Sequence, residues 1–517
     1  MQNSFHCSIL NYFCSMKSAI SKYYLENPLK CILVVGLFFR LIAAIFSEGY
    51  AFQDDHFSII EVAQQWLDKA PSDLLPQLGA KVPGGHSFFY PGLHYYFFSF
   101  LHTLGVDNPN TKMLLVRILH AFYSMSIVLL GYKITSLISN KKNAATVGWI
   151  LAIFWIFPLL SVRNLIEYVC IPPLMLSTYL ILKNQNSSKW FTYVGIGFIA
   201  GISFSFRYQT ILFIGGMGLV LLIQKELQKA ILFGLGALIS IILLQGAVDY
   251  FIWHKPFAEF FEYTNYNLHH SGEYPNGPWY NYILLLLGLF ILPLSFYLIW
   301  GNYYIFRKYL LLSLPWFLFF VFHSYFPNKQ ERFVLPVMPF FIIVGVVGWN
   351  EYVSKSKFWL NRQKTYKATL TWILCVNIFL LCFLTPASTK ISKVRAMNYL
   401  RERGDVTYFV LETTQMWGSV LMPRYYHGVW NLPYTITQEF SAKQFFDTVE
   451  AFRKPRPSHI VFAEPKDLEK RVSLVKAQVK DLIFEKEIES SYLDKTMTWL
   501  NPVNVNQTYF IYRIVYK

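Results

Sequence analysis

Apolar stretches of about 15 to 25 residues recur along the chain from Cys31 to Pro386, and a run of that length crosses a bilayer as a helix. No other feature limits the fold as tightly. Backbone groups in hydrocarbon must be satisfied within their own segment, so a chain carrying many such runs is an α-helical polytopic membrane protein. The 517 residues are 54% hydrophobic and only 15% charged, outside the usage of soluble domains. Hydropathy predicts about eleven spans, at roughly 31–46, 113–137, 145–161, 170–183, 191–206, 210–224, 230–250, 280–299, 309–322, 333–350 and 368–386. Residues 1–30 show no small-residue cleavage site after an apolar core, so they read as a retained cytoplasmic tail.

The net charge of +16 belongs to the short loops between spans rather than to a nucleic-acid surface, because no basic face with interleaved aromatics stands outside the membrane pattern. Phe88 to Gly105 is the ambiguous segment. Reading it as interfacial or re-entrant, not spanning, places Lys133, Lys141, Lys142, Lys183, Lys189, Lys225, Lys229, Arg307, Lys308 and the Lys355 to Lys367 stretch beside the basic tail, as positive-inside placement requires. The outer side then holds the first loop (47–112), Trp253 to Tyr280, His323 to Arg332 and everything after Pro386. Residues 31–388 form the membrane domain. From 389 to 517, short β-like runs such as "TYFVL", "HIVFAE" and "TYFIYRIVY" alternate with charged helix-like stretches, which predicts a small extracytoplasmic α/β domain. Neither GxGxxG nor GxxxxGK[ST] occurs, so a nucleotide-linked donor has no visible site. The six cysteines include no CxxC pair, which leaves no zinc site or disulfide framework.

Four outer stretches carry candidate chemistry. In "SEGYAFQDDHFSIIEVAQQWLDKA", Asp54 and Asp55 sit where an amphipathic helix with the apolar face Ile59, Val62, Ala63 and Trp66 would begin, and Glu61 lies about two turns further on. Paired carboxylates there serve as general base, metal ligands or solvated loop charge. In "FSFRYQT", Arg207 is an interface anchor or an anion ligand. In the aromatic stretch from Asp249 to Tyr282, Asn265, Tyr266, Asn267, His269, Trp279 and Tyr280 offer the amide and ring partners that sugars need. His269 and His270 beside Glu273 could ligate a divalent metal, but no diagnostic spacing indicates one, and no cofactor is expected. The fourth stretch, "NKQERFVLPVMP", sets Lys329, Glu331 and Arg332 directly against an apolar run.

Together these stretches resemble glycosyltransferase family 22, the GT-C group of GPI-anchor and dolichol-linked-oligosaccharide α-mannosyltransferases. The family signature, close to H-K-E-x-R-F-x-x-P-x-x-P, is matched at Lys329, Glu331, Arg332, Phe333, Pro336 and Pro339, with Asn328 in place of the histidine. Asp249, Tyr250, Phe251, Phe260 or Phe261, Asn265 or Asn267, Pro278, Trp279 and Tyr280 follow a second family pattern, and Gln53-Asp54-Asp55 with Glu61 stands for its acidic first loop. The resemblance implies a GT-C fold and transfer of a hexose, with inversion, from a polyprenyl- or dolichyl-phosphate donor to a glycan or glycolipid acceptor. It implies Asp54 as base with Asp55 second, Lys329, Arg332 and Arg207 at the donor phosphate, and Glu331, Glu61, Asn265, Tyr266, Asn267, His269, Trp279 and Tyr280 around the substrates. Two other functions stay open: a transporter or flippase of lipid-linked sugars, disfavoured by the lack of an internal repeat, and an oligosaccharide ligase with a diphosphate-linked donor. The cysteine-free outer segment and the motif departures favour a bacterial inner membrane, with the endoplasmic reticulum the eukaryotic alternative.

Overall fold

The computed structural model describes residues 22–71, 75–187, 189–273, 276–413, 421–446, 456–501 and 508–516. The tail to residue 21 and Asn506-Gln507 of a glycosylation sequon lie outside them. Among the described residues, six helices are long and apolar enough to cross a membrane: Pro28–Phe46, Pro109–Ile138, Ile166–Lys183, Leu227–Trp253, Glu331–Lys355 and Gln363–Leu384. Leu294–Ile305 and Leu310–Tyr325, bent by 120° at their junction, make a seventh if taken as one span. The chain is thus multi-pass, but length supports six or seven spans where hydropathy counts about eleven. Several expected spans are short helices, such as Lys141–Ile153 with 13 residues and Trp190–Phe206 with 17. At 1.5 Å per residue, a 13-residue helix covers about 20 Å of a core about 30 Å thick.

Where helices end inside the bundle, their orphan carbonyls find donors from other helices. Lys141–Ile153 stops at Phe154. Buried Arg40 donates to Leu151 O (2.9 Å) and Ala152 O (2.8 Å), and Asn377 Nδ2 donates to Ile153 O (3.0 Å) while its Oδ1 accepts from Trp155 N–H (2.9 Å). Two polar side chains at membrane depth thereby satisfy one helix break instead of standing unpaired. Close backbone contact does the rest of the packing. Trp190–Phe206 meets Leu227–Ile241 so tightly that a Cβ on Gly197 would fall 1.9 Å from Phe233 O. Small residues of this kind let helices in lipid gain van der Waals contact.

After the last long helix the chain forms a five-stranded mixed sheet. Its strands are β1 (Phe409–Thr413), β2 (Tyr434–Gln438), β3 (His459–Ala463), β4 (Asp481–Ile488) and β5 (Tyr509–Val515), in the order β2-β1-β3-β5-β4. β1 pairs in parallel with β2 and β3, while β5 runs antiparallel to β3 and β4. One face packs Phe409, Leu411 and Val461 against Ile60 and Ala63 of the first loop and Phe98 and Leu101 of helix Phe89–Thr103. The ambiguous Phe88 to Gly105 segment is therefore a helix of 15 residues whose buried face meets the first loop and the sheet.

One arginine ties the start of the first loop to the start of the C-terminal segment. Arg163, 3% exposed, donates to Ala387 O (2.9 Å), Glu48 O (3.2 Å), Gly49 O (3.4 Å) and Ser47 Oγ. The backbones of Gly49 and Thr389 bridge beside it, and a Cβ on Gly49 would fall 1.8 Å from Thr389 O. Hydrogen bonds from a charged donor contribute about 1.5–3 kcal/mol each, and buried acceptors left without a donor cost about 1–3 kcal/mol more. Arg163→Leu should therefore lower the unfolding temperature in detergent by several degrees, with Arg163→Lys recovering only part, as read by thermal denaturation of the purified protein.

Candidate active site

The first loop places its carboxylates by a change of helix type. Gln53–Asp55 begins an α-turn, His56–Glu61 widens into a π-helical turn, and Val62–Asp68 returns to α. Ile59, Ile60, Val62 and Ala63 bury the apolar side. Because Phe52 is extended and leads straight into the first turn, Asp54 and Asp55 stand at the helix N-terminus, where backbone N–H groups favour negative charge. Their side chains differ in exposure, 62% for Asp54 and 5% for Asp55.

Arg332 forks between them. Its Nη2 donates to Asp54 Oδ2 at 2.6 Å, its Nη1 to Asp55 Oδ2 at 2.8 Å and its Nε to Gln330 Oε1 at 2.9 Å. The guanidinium lies 4.7 Å from the ring centre of Phe52, which holds the planar group edge-on to both acids. Glu167, 1% exposed, comes from the short helix Ile166–Val169, pairs with Arg207 Nη1 and lies 3.6 Å from Arg332 Nε. Arg207 occupies the extended break between the helices Trp190–Phe206 and Ile211–Ile223. Its Nε and Nη2, and Glu167 Oε2, are buried without a hydrogen-bond partner among the described residues. The ring of Phe333 lies between the two guanidiniums, 4.8 Å from Arg207 and 5.9 Å from Arg332.

These groups line a cavity of about 350 Å³, within the range of small-ligand sites. Its far wall comes from helix Ala258–His270, through Tyr263, Tyr266 and Asn267, and from the turn Gly84-Gly85-His86-Ser87. The turn approaches the helix closely because Gly85 has φ +74° and a Cβ there would lie 3.2 Å from Tyr263 Cα. Glu259 fixes the turn by accepting His86 N–H (3.0 Å) and Trp253 Nε1–H (2.7 Å). Asn328 also lines the cavity, with a buried Oδ1 that has no partner among the described residues.

Charge inside the cavity is nearly balanced. Asp54, Asp55 and Glu167 face Arg207 and Arg332, so a single bound proton brings the set to neutrality. Asp55 is the place for it: burial pushes its carboxyl above the ordinary range, Arg332 pulls it back, and Glu167 and Asp54 push it up again.

The structure brings Asp54, Asp55, Arg207, Arg332, Tyr266 and Asn267 of the expected residues to one cavity and leaves the others outside its lining. Lys329 is spent on a helix end, its Nζ donating to His323 O and Ser324 O (both 2.9 Å) and to Phe326 O at the C-terminus of Leu310–Tyr325. Glu61 is buried against the C-terminal segment, accepting Tyr425 N–H at 3.0 Å and standing 3.7 Å from His56 Nε2. Glu331 and Asn265 point to solvent, and Trp279 and Tyr280 are exposed and stacked edge-to-face on each other. His269 and His270 turn back onto carbonyls of their own helix. Among the described residues no group of three or more His, Cys, Asp or Glu side chains could hold a metal ion. Glu167 is the residue that sequence reasoning missed. A lone glutamate in the apolar "NLIEYVCIPP" was its available signal, since an ionisable group in such a run needs a partner.

The sequence pattern of the Alg9-like mannosyltransferase family matches residues 31–431. No curated protein sequence matches the chain. Among solved structures, the fold is similar to that of ArnT from Cupriavidus metallidurans. The apo crystal structure gives a TM-score of 0.61 at 11% identity, covering 95% of this chain and 98% of that one. The form bound to undecaprenyl phosphate gives 0.59 at 10% identity, covering 93% and 97%. At such identities the likeness is one of fold alone.

Burial also yields a pH-dependent term at Glu61. Its carboxyl is pushed from an ordinary 4.5 up to about 8, chiefly by burial, with Tyr425 N–H and Arg424 opposing. A raised folded-state value means that the protonated form is favoured by folding, so stability is full below about 4.5 and is lost as pH rises towards about 8. The unfolding temperature should fall across that window in wild type, and Glu61→Gln should flatten the fall, as differential scanning fluorimetry over a pH series would show.

Proposed function

Since the chain belongs to the Alg9-like mannosyltransferase family, and so is a multi-pass membrane glycosyltransferase, we propose that it transfers a hexose, mannose by family, from a polyprenyl- or dolichyl-phosphate donor to a glycan or glycolipid acceptor, with inversion, on the extracytoplasmic or lumenal face. The bound undecaprenyl phosphate of the ArnT structure supports a lipid phosphate as the donor's carrier. The observation that carries the reading is one cavity in which the solvent-facing carboxylate of Asp54 stands across Arg332 from Arg207, whose Nε and Nη2 have no partner among the described residues.

The chemistry follows from those positions. Asp54 takes the proton of the acceptor hydroxyl as its oxygen attacks the anomeric carbon, and the bond from that carbon to the phosphate oxygen breaks. The charge that develops on the leaving lipid phosphate falls to Arg207 and to the second N–H of each Arg332 Nη. A phosphate arriving here competes with Asp54 for Arg332, so donor binding itself frees the carboxylate to act as base. Asp55, buried and protonated more readily, keeps Arg332 in place throughout. Glu167 orients Arg207 and tempers the positive charge, which leaves room for the lipid phosphate to depart. Tyr263, Tyr266 and Asn267 border the sugar, and the segment 389–517 stands over the first loop as an outer domain. A bacterial inner membrane is the compartment we favour. A transport function finds less support, because the charged groups of the candidate site gather round one cavity at helix ends, and Arg40 and Asn377 inside their spans are used at a helix break.

Transfer by the purified, reconstituted enzyme from polyprenyl-phosphate mannose to candidate glycans, with product linkage read by NMR, tests this. Asp54→Asn should lower kcat by about 10²- to 10⁴-fold, the usual contribution of a positioned base. Arg207→Ala should lower kcat as well as raise donor KM, because it removes both a binding partner of the phosphate and the stabilisation of the charge that develops on it. Equal transfer by Asp54→Asn and wild type would remove Asp54 as base, and movement of the lipid-linked sugar across the bilayer without a new glycosidic bond would favour transport.

A further inference from the structure

Helix Tyr492–Leu500, nine residues between β4 and β5, shows a face that none of the described residues of the C-terminal segment covers. Leu493 and Asp494 are buried, whereas Tyr492 (43% exposed), Trp499 (80%) and Leu500 (64%) stand out. With Lys495 and Thr496 they fall at i, i+3, i+4, i+7 and i+8, one stripe of a helix. The mixture of tyrosine, tryptophan and leucine beside Lys495, whose Nζ donates to Glu489 Oε2 at 2.6 Å, is that of a helix lying at a lipid–water boundary.

Its place in the fold says what covers it. Ser491 caps the helix by accepting Asp494 N–H (3.0 Å) and donates to Ser388 O (2.7 Å), just beyond the end of Gln363–Leu384. Tyr492 Oη donates to Phe383 O at 2.6 Å, satisfying a carbonyl in the last turn of that span. Of the most apolar 18-residue window of that span only 22% is buried inside the protein, which leaves most of it open to lipid. On its exposed side Phe379 stacks with Phe383 at 6.3 Å, and Phe383 meets Tyr492 at 5.0 Å. A row of aromatic rings thus runs without a break from a lipid-facing transmembrane helix onto the helix of the sheet domain.

We propose that helix Tyr492–Leu500 lies in the headgroup region of the bilayer, so that the C-terminal domain rests on the membrane through its own apolar stripe. The surface then reaches the first loop by two bonds. Asp494 Oδ2 accepts Lys390 N–H (2.9 Å), and Lys390 Nζ donates to Ala51 O, three residues from Asp54. Lipid contact at Trp499 fixes the tilt of the domain and, through Lys390, the seat of the carboxylate-bearing turn.

The test uses the full-length protein in phosphatidylcholine vesicles, with p-benzoylphenylalanine replacing Trp499, Thr496 or, as a comparison, Val429, an exposed apolar position beside the Trp430–Asp68 contact. Trp499 and Val429 are exposed and Thr496 is half-buried, so the 499 and 429 variants carry the comparison, and the readout is independent of catalysis. On irradiation, lipid adduct at 499 and 496 should exceed that at 429 by about tenfold, as expected of a helix seated among headgroups. Equal labelling at 499 and 429 would overturn the proposal, as would protein–protein adducts at 499 in place of lipid, which would assign the stripe to a second copy of the chain.

Discussion

Everything at the outer end of the bundle is arranged around one guanidinium. Arg332 is almost wholly buried, and a buried cation is costly unless acids and hydrogen-bond acceptors are brought to it. Its three nitrogens reach Asp54, Asp55 and Gln330, and Glu167 lies behind it. Those partners come from the first loop, from the short helix Ile166–Val169 that opens Ile166–Lys183, and from the turn that opens Glu331–Lys355. Three distant parts of the chain are brought together because one positive charge needs them all. The cavity beside Arg332 is what remains where that convergence leaves room for a substrate.

The same rule operates deeper in the membrane. Arg40 and Asn377 would each be costly in hydrocarbon, yet both are satisfied because a helix stops next to them and offers its last carbonyls. Arg163 does this at the outer surface with the carbonyls of two crossing strands of chain. Of these buried cations, Arg40 and Arg163 close gaps in the backbone, whereas Arg207 and Arg332 face the candidate site. Lys329 belongs to the first group although its neighbour Arg332 belongs to the second, because an ammonium on a flexible stem folds back onto a helix terminus more readily than a guanidinium bound by two acids.

Much of this was legible in the sequence. Apolar run length showed a polytopic helical chain, and the alternation after residue 389 showed a sheet. The pairing of Asp54 and Asp55 at a helix start followed from the spacing of Ile59, Val62, Ala63 and Trp66. Span number was harder to read, because hydropathy counts apolar runs and cannot tell a full span from a helix broken by capping at Phe154. Long-range pairing was hardest. Glu167 lies 40 residues from Arg207 and its role depends on a meeting that no local pattern encodes. Glu61 shows the reverse error: it is near Asp54 in sequence, yet the π-helical turn between them rotates it away from the cavity and into the sheet domain. Trp279 and Tyr280 matched a family pattern but stand exposed, outside the cavity wall.

The staple at Arg163 has a meaning for how such a chain can change over time. Ser47 to Gly49 and Ala387 to Thr389 are over 330 residues apart and share one set of hydrogen bonds. The outer domain and the first loop therefore form one inherited unit despite lying at opposite ends of the membrane region. A recombination that exchanged the domain alone would sever that set, so new acceptor-facing architecture is more accessible by substitutions along the sheet and loop surfaces than by trading whole modules.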